Sequence, residues 1–270
     1  MTAETPSTAH HSPNHSTLYA TPRIVTNLDE CYFYHTMEIP GYGLVQGEWD
    51  LRHGMREYLG GVDFSNKRVL EIGTASGFLC FQMERLGAEV IAYDLSEHQS
   101  WDIVPFVRAN CEEFARHFKT HIHKINNGYW LAHQAHQSNA KVLYGSVYEI
   151  PEAIGAVDIS TFCSVLLHVR DPFLALQKAL RLTRETVIIT ERLPKYFPLV
   201  SLLAKLGKSP MIFLPNFKTR EPQEAWWYLP PETIQQFIGV LGFEKSKVTY
   251  HRQTYRGQKT LMYTVIGHRE

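Results

Sequence analysis

A glycine-bearing turn in the first third of the chain has the residue types and spacing of a ligand-binding loop. The residues from Val69 to Phe78 read V-L-E-I-G-T-A-S-G-F, so Gly73 and Gly77 lie four positions apart and Glu71 precedes the first by two. Because glycine has no Cβ, the backbone of such a turn can approach a ligand closely at the start of a helix. The dinucleotide fingerprint needs Gly-x-Gly-x-x-Gly, so this spacing disfavours a nicotinamide-dependent oxidoreductase.

Two further apolar runs end in residues that can complete the same site. Asp94 follows Gly77 by 17 residues, at the end of a run where its carboxylate can accept hydrogen bonds from both hydroxyls of a ribose. Another run, 157–162, leads into Cys163 and then His168. Because the carboxyl ends of parallel strands meet at one edge of a sheet, these strand ends together predict a cofactor site more strongly than any one alone.

The pattern Glu-x-Gly-x-x-x-Gly resembles the first motif of the class I (Rossmann-like) S-adenosylmethionine-dependent methyltransferases. The run from Val157 and the later Trp-Tyr-Leu-Pro of 227–230 resemble the branch related to the tRNA wobble-uridine carboxymethyltransferases and small-molecule methyltransferases. The resemblance implies S-adenosylmethionine as cofactor, with Asp94 on the ribose, Leu95 beside the adenine and Cys163 beside the methionine. The implied cofactor-binding residues are Glu71, Gly73, Thr74, Ala75, Gly77, Asp94, Leu95, Ser146, Val147 and Cys163.

Two positions depart from the pattern of that family. Ala75 stands where many relatives have a middle glycine, a small change that a slightly wider turn could absorb. Ser146 stands where an acidic residue often meets the adenine amine, so its hydroxyl would be a weaker substitute.

The catalytic and acceptor-binding residues are less strongly indicated. A general base is required only if the accepting atom carries a proton, and His168 is the candidate; its alternative role is to orient a loop. Histidines 121, 123, 133 and 136 lack an acid or cysteine that completes a ligand set, so no metal site is predicted. Aromatic side chains can either pack in the core or line a pocket. The residues predicted to contact the acceptor are Trp49, Arg52, Tyr129, Trp130, Trp226 and Trp227.

The elements that must position these residues alternate along the chain. The alternation predicts an α/β, Rossmann-like fold: a mostly parallel seven-stranded sheet with helices on both faces, a C-terminal antiparallel hairpin and an N-terminal cap. The predicted strands are 68–72, 89–93, 141–144, 157–162, 186–190, 246–250 and 260–266. The predicted helices include 78–86, 172–182 with Asp171 as its cap, and one that opens at Pro230 and runs through Leu241.

The chain is expected to divide into a disordered tail (1–22), an N-terminal cap (23–65) and a methyltransferase domain (66–270) with insertions at about 101–140 and 193–225. The apolar stretch 196–215 can be a lid, part of the core, a homodimer surface or a weak membrane contact. No run reaches the roughly 18 apolar residues of a membrane-spanning helix, so no stable membrane insertion is expected.

The amino-acid composition limits the classes of molecule that the protein is expected to bind. Lysine plus arginine and aspartate plus glutamate are 27 each, so no net field attracts a polyanion and a small-molecule acceptor is favoured over nucleic acid. The four cysteines show no Cys-x-x-Cys spacing, which fits a reducing, cytoplasmic compartment. The predicted function is methyl transfer by in-line displacement to an O, N or C nucleophile of a small aromatic or apolar acceptor. The alternatives are a tRNA-modifying methyl- or carboxymethyltransferase and a noncatalytic S-adenosylmethionine-binding protein.

Overall fold

Apolar side chains that alternate between two faces form the central sheet. In the computed structural model, which describes residues 18–107, 111–193 and 210–270, eight strands of these residues hydrogen-bond in one sheet. Along the strand Arg68–Ile72, Val69 packs into one hydrophobic cluster while Leu70 and Ile72 pack into another, because successive side chains of a strand point to opposite faces. The sheet is therefore buried on both faces.

The described strands and helices have the following bounds. The strands are β1 Met37–Ile39, β2 Gly43–Val45, β3 Trp49–Asp50, β4 Arg68–Ile72, β5 Glu89–Asp94, β6 Lys141–Tyr144, β7 Val157–Cys163, β8 Thr183–Arg192, β9 Ile212–Phe213, β10 Trp227–Tyr228, β11 Lys245–Tyr255 and β12 Gln258–His268. The helices are α1 Met55–Tyr58, α2 Phe78–Arg85, α3 Cys111–Ala135, α4 Pro172–Leu180 and α5 Pro231–Val240, with short 3-10 helices at Leu28–Glu30, Glu152–Ile154 and Leu166–His168.

The strand order of the large sheet is β3-β11-β12-β8-β7-β4-β5-β6. Neighbours from β8 to β6 pair in parallel, whereas β12 is antiparallel to both β8 and β11. Helices α2 and α3 pack into the cluster on one face, and α4 and α5 into the cluster on the other. The predicted Rossmann-like fold, with helices on both faces and a C-terminal antiparallel hairpin, is confirmed.

Several element boundaries differ from the prediction. The sheet has an eighth strand, β3, because Trp49 and Asp50 pair with the end of β11; two residues are too few to show an alternating pattern in the sequence. Strands β8, β11 and β12 are longer than predicted, since their polar residues also pair. Helix α4 ends at Leu180 rather than at 182 because β8 already begins at Thr183.

The residues from 23 to 65 contact the face of the sheet that carries α2 and α3. They contain β1, β2, β3 and α1. Tyr58 is 2% exposed, and its carbonyl accepts a hydrogen bond from Thr190 Oγ1 of β8 at 2.7 Å. Gln253 Nε2 of β11 donates to the carbonyl of Gly54 at 2.8 Å. The division into tail, cap and domain stays a prediction; residues 1–17 of the tail and 196–209 of the apolar stretch lie outside the described residues.

Among the helices of the described residues, none combines the length and apolar character needed to cross a membrane. The longest, α3, has 25 residues and carries charged and histidine side chains along its length. Asn126 of α3 donates to the carbonyl of Leu95 at 3.1 Å, and the carbonyl of Lys124 accepts from the N–H of Tyr32 at 2.9 Å. The predicted insertion at 101–140 therefore joins the residues 23–65 to the loop after β5.

Replacing the cap of α4 tests the local origin of this helix. Asp171 Oδ1 accepts the N–H of Leu174 at 2.9 Å, and Pro172 occupies the first helical turn. Asp171→Ala removes this acceptor and is expected to lower the free energy of unfolding by about 1 kcal/mol in urea denaturation. Asp171→Asn keeps a capping oxygen and is the control; equal losses in both variants would contradict the capping role.

Candidate active site

The glycine turn between β4 and α2 requires glycine for two independent reasons. Gly73 and Gly77 have φ values of +76° and +88°, in the left-handed region that favours glycine. A Cβ on Gly73 would lie 2.5 Å from Val165 Cγ2, and one on Gly77 would lie 2.6 Å from the ring of Phe81 and 2.9 Å from that of Tyr129. Both positions therefore combine an unusual backbone conformation with close packing.

Ala75 occupies the middle of this turn in a glycine-like conformation. Its φ is 49°, which is strained for a residue with a Cβ. Its N–H donates to Asp94 Oδ2 at 2.7 Å, so the turn after β4 is fixed to the end of β5. The turn thus has a left-handed conformation at Ala75, and the Asp94 carboxylate holds it there.

Asp94 is the last residue of β5 and stands beside the turn. Its Oδ1 accepts the N–H of Leu95 at 2.7 Å, while Oδ2 accepts that of Ala75. Burial raises the pKa of Asp94, and the two backbone N–H groups oppose that rise. A carboxylate has about four lone-pair directions, so two remain for ribose hydroxyls.

Glu71 lies beneath the turn. Its side chain is 1% exposed, and Thr74 Oγ1 donates to Glu71 Oε2 at 2.6 Å. Burial raises the pKa of Glu71 to about 8. Of the predicted cofactor residues, Glu71 and Thr74 thus shape the turn from inside.

The loop after β6 adjoins Asp94 on its other side. The N–H of Gly145 donates to the carbonyl of Asp94 at 2.9 Å, and the carbonyl of Ser146 accepts from the hydroxyl of Tyr93 at 2.8 Å. Ser146 Oγ accepts the N–H of Tyr148 at 3.3 Å. Val147 packs at the edge of the second cluster. The structure therefore brings the predicted adenine-side residues next to the predicted ribose carboxylate.

The end of β7 carries the third predicted part of the site. Cys163 is half-buried, and burial raises the pKa of its thiol well above the usual range, so it stays protonated. Ser164 follows with a φ of 59°, and its Oγ lies 3.2 Å from the hydroxyl of Tyr58. A non-glycine residue held in the left-handed region is typical of functional sites.

His168 closes the 3-10 turn that follows β7. Its Nδ1 lies 2.5 Å from the carbonyl oxygen of Glu224. Because a carbonyl only accepts, Nδ1 carries the proton, which leaves the lone pair on Nε2. Burial lowers the pKa of His168, so the imidazole is neutral near pH 7.

Glu191 was missed in the sequence and organises the same turn. It is 4% exposed, and its Oε1 accepts the N–H of Leu166 at 2.8 Å; the N–H groups of Val165 and Leu167 also favour its charged form. Burial nevertheless raises the pKa of Glu191 to about 8. An acid inside an apolar strand run is the signal that could have identified it.

Comparison with known proteins identifies the family. A profile for a methyltransferase domain matches residues 50–244, well over half of the chain. The chain belongs to this family. It is a class I S-adenosylmethionine-dependent methyltransferase, and S-adenosylmethionine is its cofactor. The turn, the Asp94 carboxylate and the β7 end fit this cofactor, because they present close-approach backbone and a ribose acceptor at one sheet edge.

Solved structures of several proteins are similar to this chain at low sequence identity. EvdMO1 superposes with a TM-score of 0.52 at 15% identity, over 87% of this chain and 44% of that one. Magnesium protoporphyrin IX methyltransferase from Synechocystis PCC 6803 has a TM-score of 0.48 and a sequence identity of 13%, over 82% of each chain. The 1,6-didemethyltoxoflavin-N1-methyltransferase of Burkholderia thailandensis has a TM-score of 0.46 and a sequence identity of 14%, over 81% of this chain and 79% of that one. No curated protein matches the chain.

A belt of rings crosses the edge of the methyltransferase sheet near the cofactor residues. The ring centroid of Trp101 lies 6.0 Å from that of His168 and 5.9 Å from that of His121. His121 in turn lies 4.4 Å from Tyr32 and 6.0 Å from Tyr34. The N–H of Tyr34 donates to Ser76 Oγ at 3.2 Å, so the belt is attached to the glycine turn. Of these rings, the sequence analysis assigned only His168 to the site.

Only some of the predicted acceptor residues come near this belt. Trp226 lies beside His168, since its N–H donates to the carbonyl of Leu167 at 2.8 Å, and the indole N–H of Trp227 donates to the carbonyl of Arg170 at 2.9 Å. Trp49 packs against Tyr255, with ring centroids 4.6 Å apart and an angle of 40° between the ring planes. The other three predicted acceptor residues lie elsewhere. Arg52 forms an ion pair with Asp50 beside a smaller cavity of about 220 Å³ next to α2. Tyr129 and Trp130 lie in the core, where they are 1% and 3% exposed.

A larger cavity of about 690 Å³ has Trp226 in its wall, and the N–H of Trp226 donates to the carbonyl of Leu167 in the turn after β7 at 2.8 Å. It is lined by 104–107 together with Phe213, Pro215, Phe217, Arg220 and Trp226. Among the described residues, no group of three or more His, Cys, Asp or Glu side chains is arranged to hold a metal ion.

The raised pKa of Glu191 predicts a pH dependence of stability. Between its unfolded pKa of about 4.3 and its folded pKa of about 8, the folded protein binds more protons than the unfolded chain. The free energy of unfolding therefore falls as pH rises through this window. Glu191→Gln should reduce this fall by on the order of 1 kcal/mol or more, measured as urea denaturation at about pH 5 and about pH 8.

The exposed Glu244→Gln is the control for exchanging a carboxylate with an amide. If the difference between the two pH values is the same in Glu191→Gln as in the unchanged protein, then the buried Glu191 carboxyl is not the source of the pH dependence.

Proposed function

We propose that the methyltransferase transfers the cofactor methyl group to an O, N or C nucleophile of a small, aromatic or apolar acceptor. The observation that supports this is the larger cavity: its described lining residues are apolar except for Arg220, and one of them, Trp226, hydrogen-bonds to Leu167 in the turn after β7. A cavity of about 690 Å³ lies in the range that binds small molecules.

The protein's contribution to this reaction is alignment. When bound, the cofactor supplies an activated sulfonium methyl that a nucleophile displaces in line. In this proposal Asp94 holds the ribose, Leu95 and Val147 flank the adenine, and Cys163 lies beside the methionine. Such positioning can contribute roughly 7–11 kcal/mol to the lowering of a barrier.

His168 is the proposed general base for an acceptor that still carries a proton. With Nδ1–H held by the carbonyl of Glu224, its Nε2 lone pair is the basic atom. Burial keeps the ring neutral at working pH, which is the form that accepts a proton. For an acceptor that attacks without losing a proton, His168 acts only by fixing the turn.

Removing the Asp94 charge tests cofactor binding. Asp94→Asn should weaken S-adenosylhomocysteine binding by at least about tenfold, because hydrogen bonds to a charged group are lost. Calorimetric titration with S-adenosylhomocysteine measures the affinity of both proteins. Asp158→Asn is the matched control: Asp158 also accepts a backbone N–H, from Arg68 at 2.8 Å, but at the opposite edge of the sheet. Undiminished binding to Asp94→Asn would contradict the ribose assignment.

Replacing His168 tests the base. With an acceptor that loses an O–H proton, His168→Gln should lower kcat by about 10² to 10⁴ while S-adenosylhomocysteine affinity is kept. His268→Gln, at the opposite edge beside Thr186, is the control. Methyl incorporation from labelled S-adenosylmethionine across an acceptor screen is the readout. Transfer to tRNA, or binding of cofactor with transfer to no acceptor, would instead support a tRNA-modifying or a noncatalytic protein.

A further inference from the structure

The larger cavity places a guanidinium among apolar side chains. Among the described residues that line it, Arg220 is the only charged one; the others are aliphatic, aromatic or proline. Val107, Phe213 and Phe217 at its rim are 83%, 53% and 80% exposed. Large apolar side chains grouped in this way on a surface mark a binding site. A ligand that fills the cavity would therefore bury apolar surface next to a guanidinium.

A hydrogen-bonded turn fixes the backbone that carries Arg220. Asn216 Oδ1 accepts the N–H groups of Lys218 at 2.8 Å and Thr219 at 3.3 Å, and the carbonyl of Asn216 accepts the N–H of Arg220 at 2.7 Å. Asn216 and Glu221 also form an antiparallel bridge. Arg220 has a φ of 57°, a strained value for a residue other than glycine. The turn thus holds Arg220 in one defined place at the cavity.

The cavity is joined to the reactive edge of the sheet. Its wall residue Trp226 donates its backbone N–H to Leu167 at 2.8 Å and its indole Nε1–H to the carbonyl of Asp102 at 2.5 Å. The carbonyl of Glu224, two residues earlier, is the partner of His168. A molecule in the cavity therefore lies beside the turn that follows the proposed methyl-transfer position.

We propose that the acceptor is an amphiphilic acid, whose apolar body occupies the cavity and whose carboxylate pairs with Arg220. The inference rests on the proposed function, and it specifies the class of acceptor. The apolar walls select the body of the molecule, and a guanidinium presents paired N–H donors that match a carboxylate. The acid is a recognition group, distinct from the nucleophile that takes the methyl group.

A pair of probes that differ only in charge tests the assignment. Octanoate and octanol have the same apolar chain, and their binding to the full chain is followed by quenching of tryptophan fluorescence at low ionic strength. The unchanged protein should bind octanoate about fivefold more tightly than octanol. Arg220→Gln should lose this preference, Arg220→Lys should regain part of it, and added salt should reduce it.

Lys218→Gln is the matched control. It removes one positive charge from the same turn, yet Lys218 does not line the cavity and its ammonium lies 5.9 Å from the centre of the Phe217 ring. The control should keep the preference for octanoate. Equal loss in Arg220→Gln and Lys218→Gln would overturn the assignment, because a diffuse positive field would then explain it.

Two further results would also overturn the assignment. One is equal affinity of the unchanged protein for the two probes. The other is saturable binding to phosphatidylglycerol vesicles with none to free octanoate, which would indicate a membrane surface as the partner.

Titration of the same variants with S-adenosylhomocysteine separates this inference from the proposed function. Cofactor binding without a preference for octanoate would contradict the acidic acceptor alone, whereas absent cofactor binding would contradict both proposals.

Discussion

The carboxylate of Asp94 holds together the two strand ends on which the cofactor site depends. One oxygen accepts the N–H of Ala75 from the turn after β4, and the other accepts that of Leu95 from the loop after β5, both at 2.7 Å. The carbonyl of Asp94 also accepts from Gly145, in the loop after β6. Three loops from neighbouring parallel strands therefore converge on one residue, the one proposed to hold the ribose. The strained φ of Ala75 is held in place by this contact.

Buried acids support the edge from inside the protein. Glu71 accepts the hydroxyl of Thr74 beneath the glycine turn, and Glu191 accepts the N–H of Leu166 in the turn after β7. Burial raises the pKa of each to about 8, which means that burying these two carboxyl groups lowers the stability of the folded protein. Each acid fixes a loop at the edge of the sheet where the cofactor is proposed to bind, so the cost of burial is offset by a preorganised edge. Glycine geometry alone would leave both loops less constrained.

The N-terminal residues contribute a polar contact surface to the same face of the sheet. The carbonyl of Tyr58 accepts hydrogen bonds from Thr190 and Thr264, and His251 Nε2 lies 2.9 Å from Thr264 Oγ1. The hydroxyl of Tyr58 meets Ser164 just beyond β7. Residues far apart in the chain, from α1, β7, β8, β11 and β12, thus share one network beside the proposed methyl-transfer position, and the ring belt from His168 to Tyr34 covers the neighbouring edge.

The sequence by itself determined the parallel sheet, the glycine turn, Asp94 and the position of His168 after β7, because each of these follows from local spacing: apolar alternation, missing Cβ atoms and an acid at a strand end. It could not reveal the two-residue β3, which exists only because β11 offers a partner. Nor could it separate Trp226, which lines the larger cavity, from Trp130, which packs in a core cluster, since identical aromatic residue types serve as core or as pocket wall. Whether a side chain faces a cavity, or an acid such as Glu191 meets a distant N–H, is decided by contacts between segments that only the tertiary structure brings together.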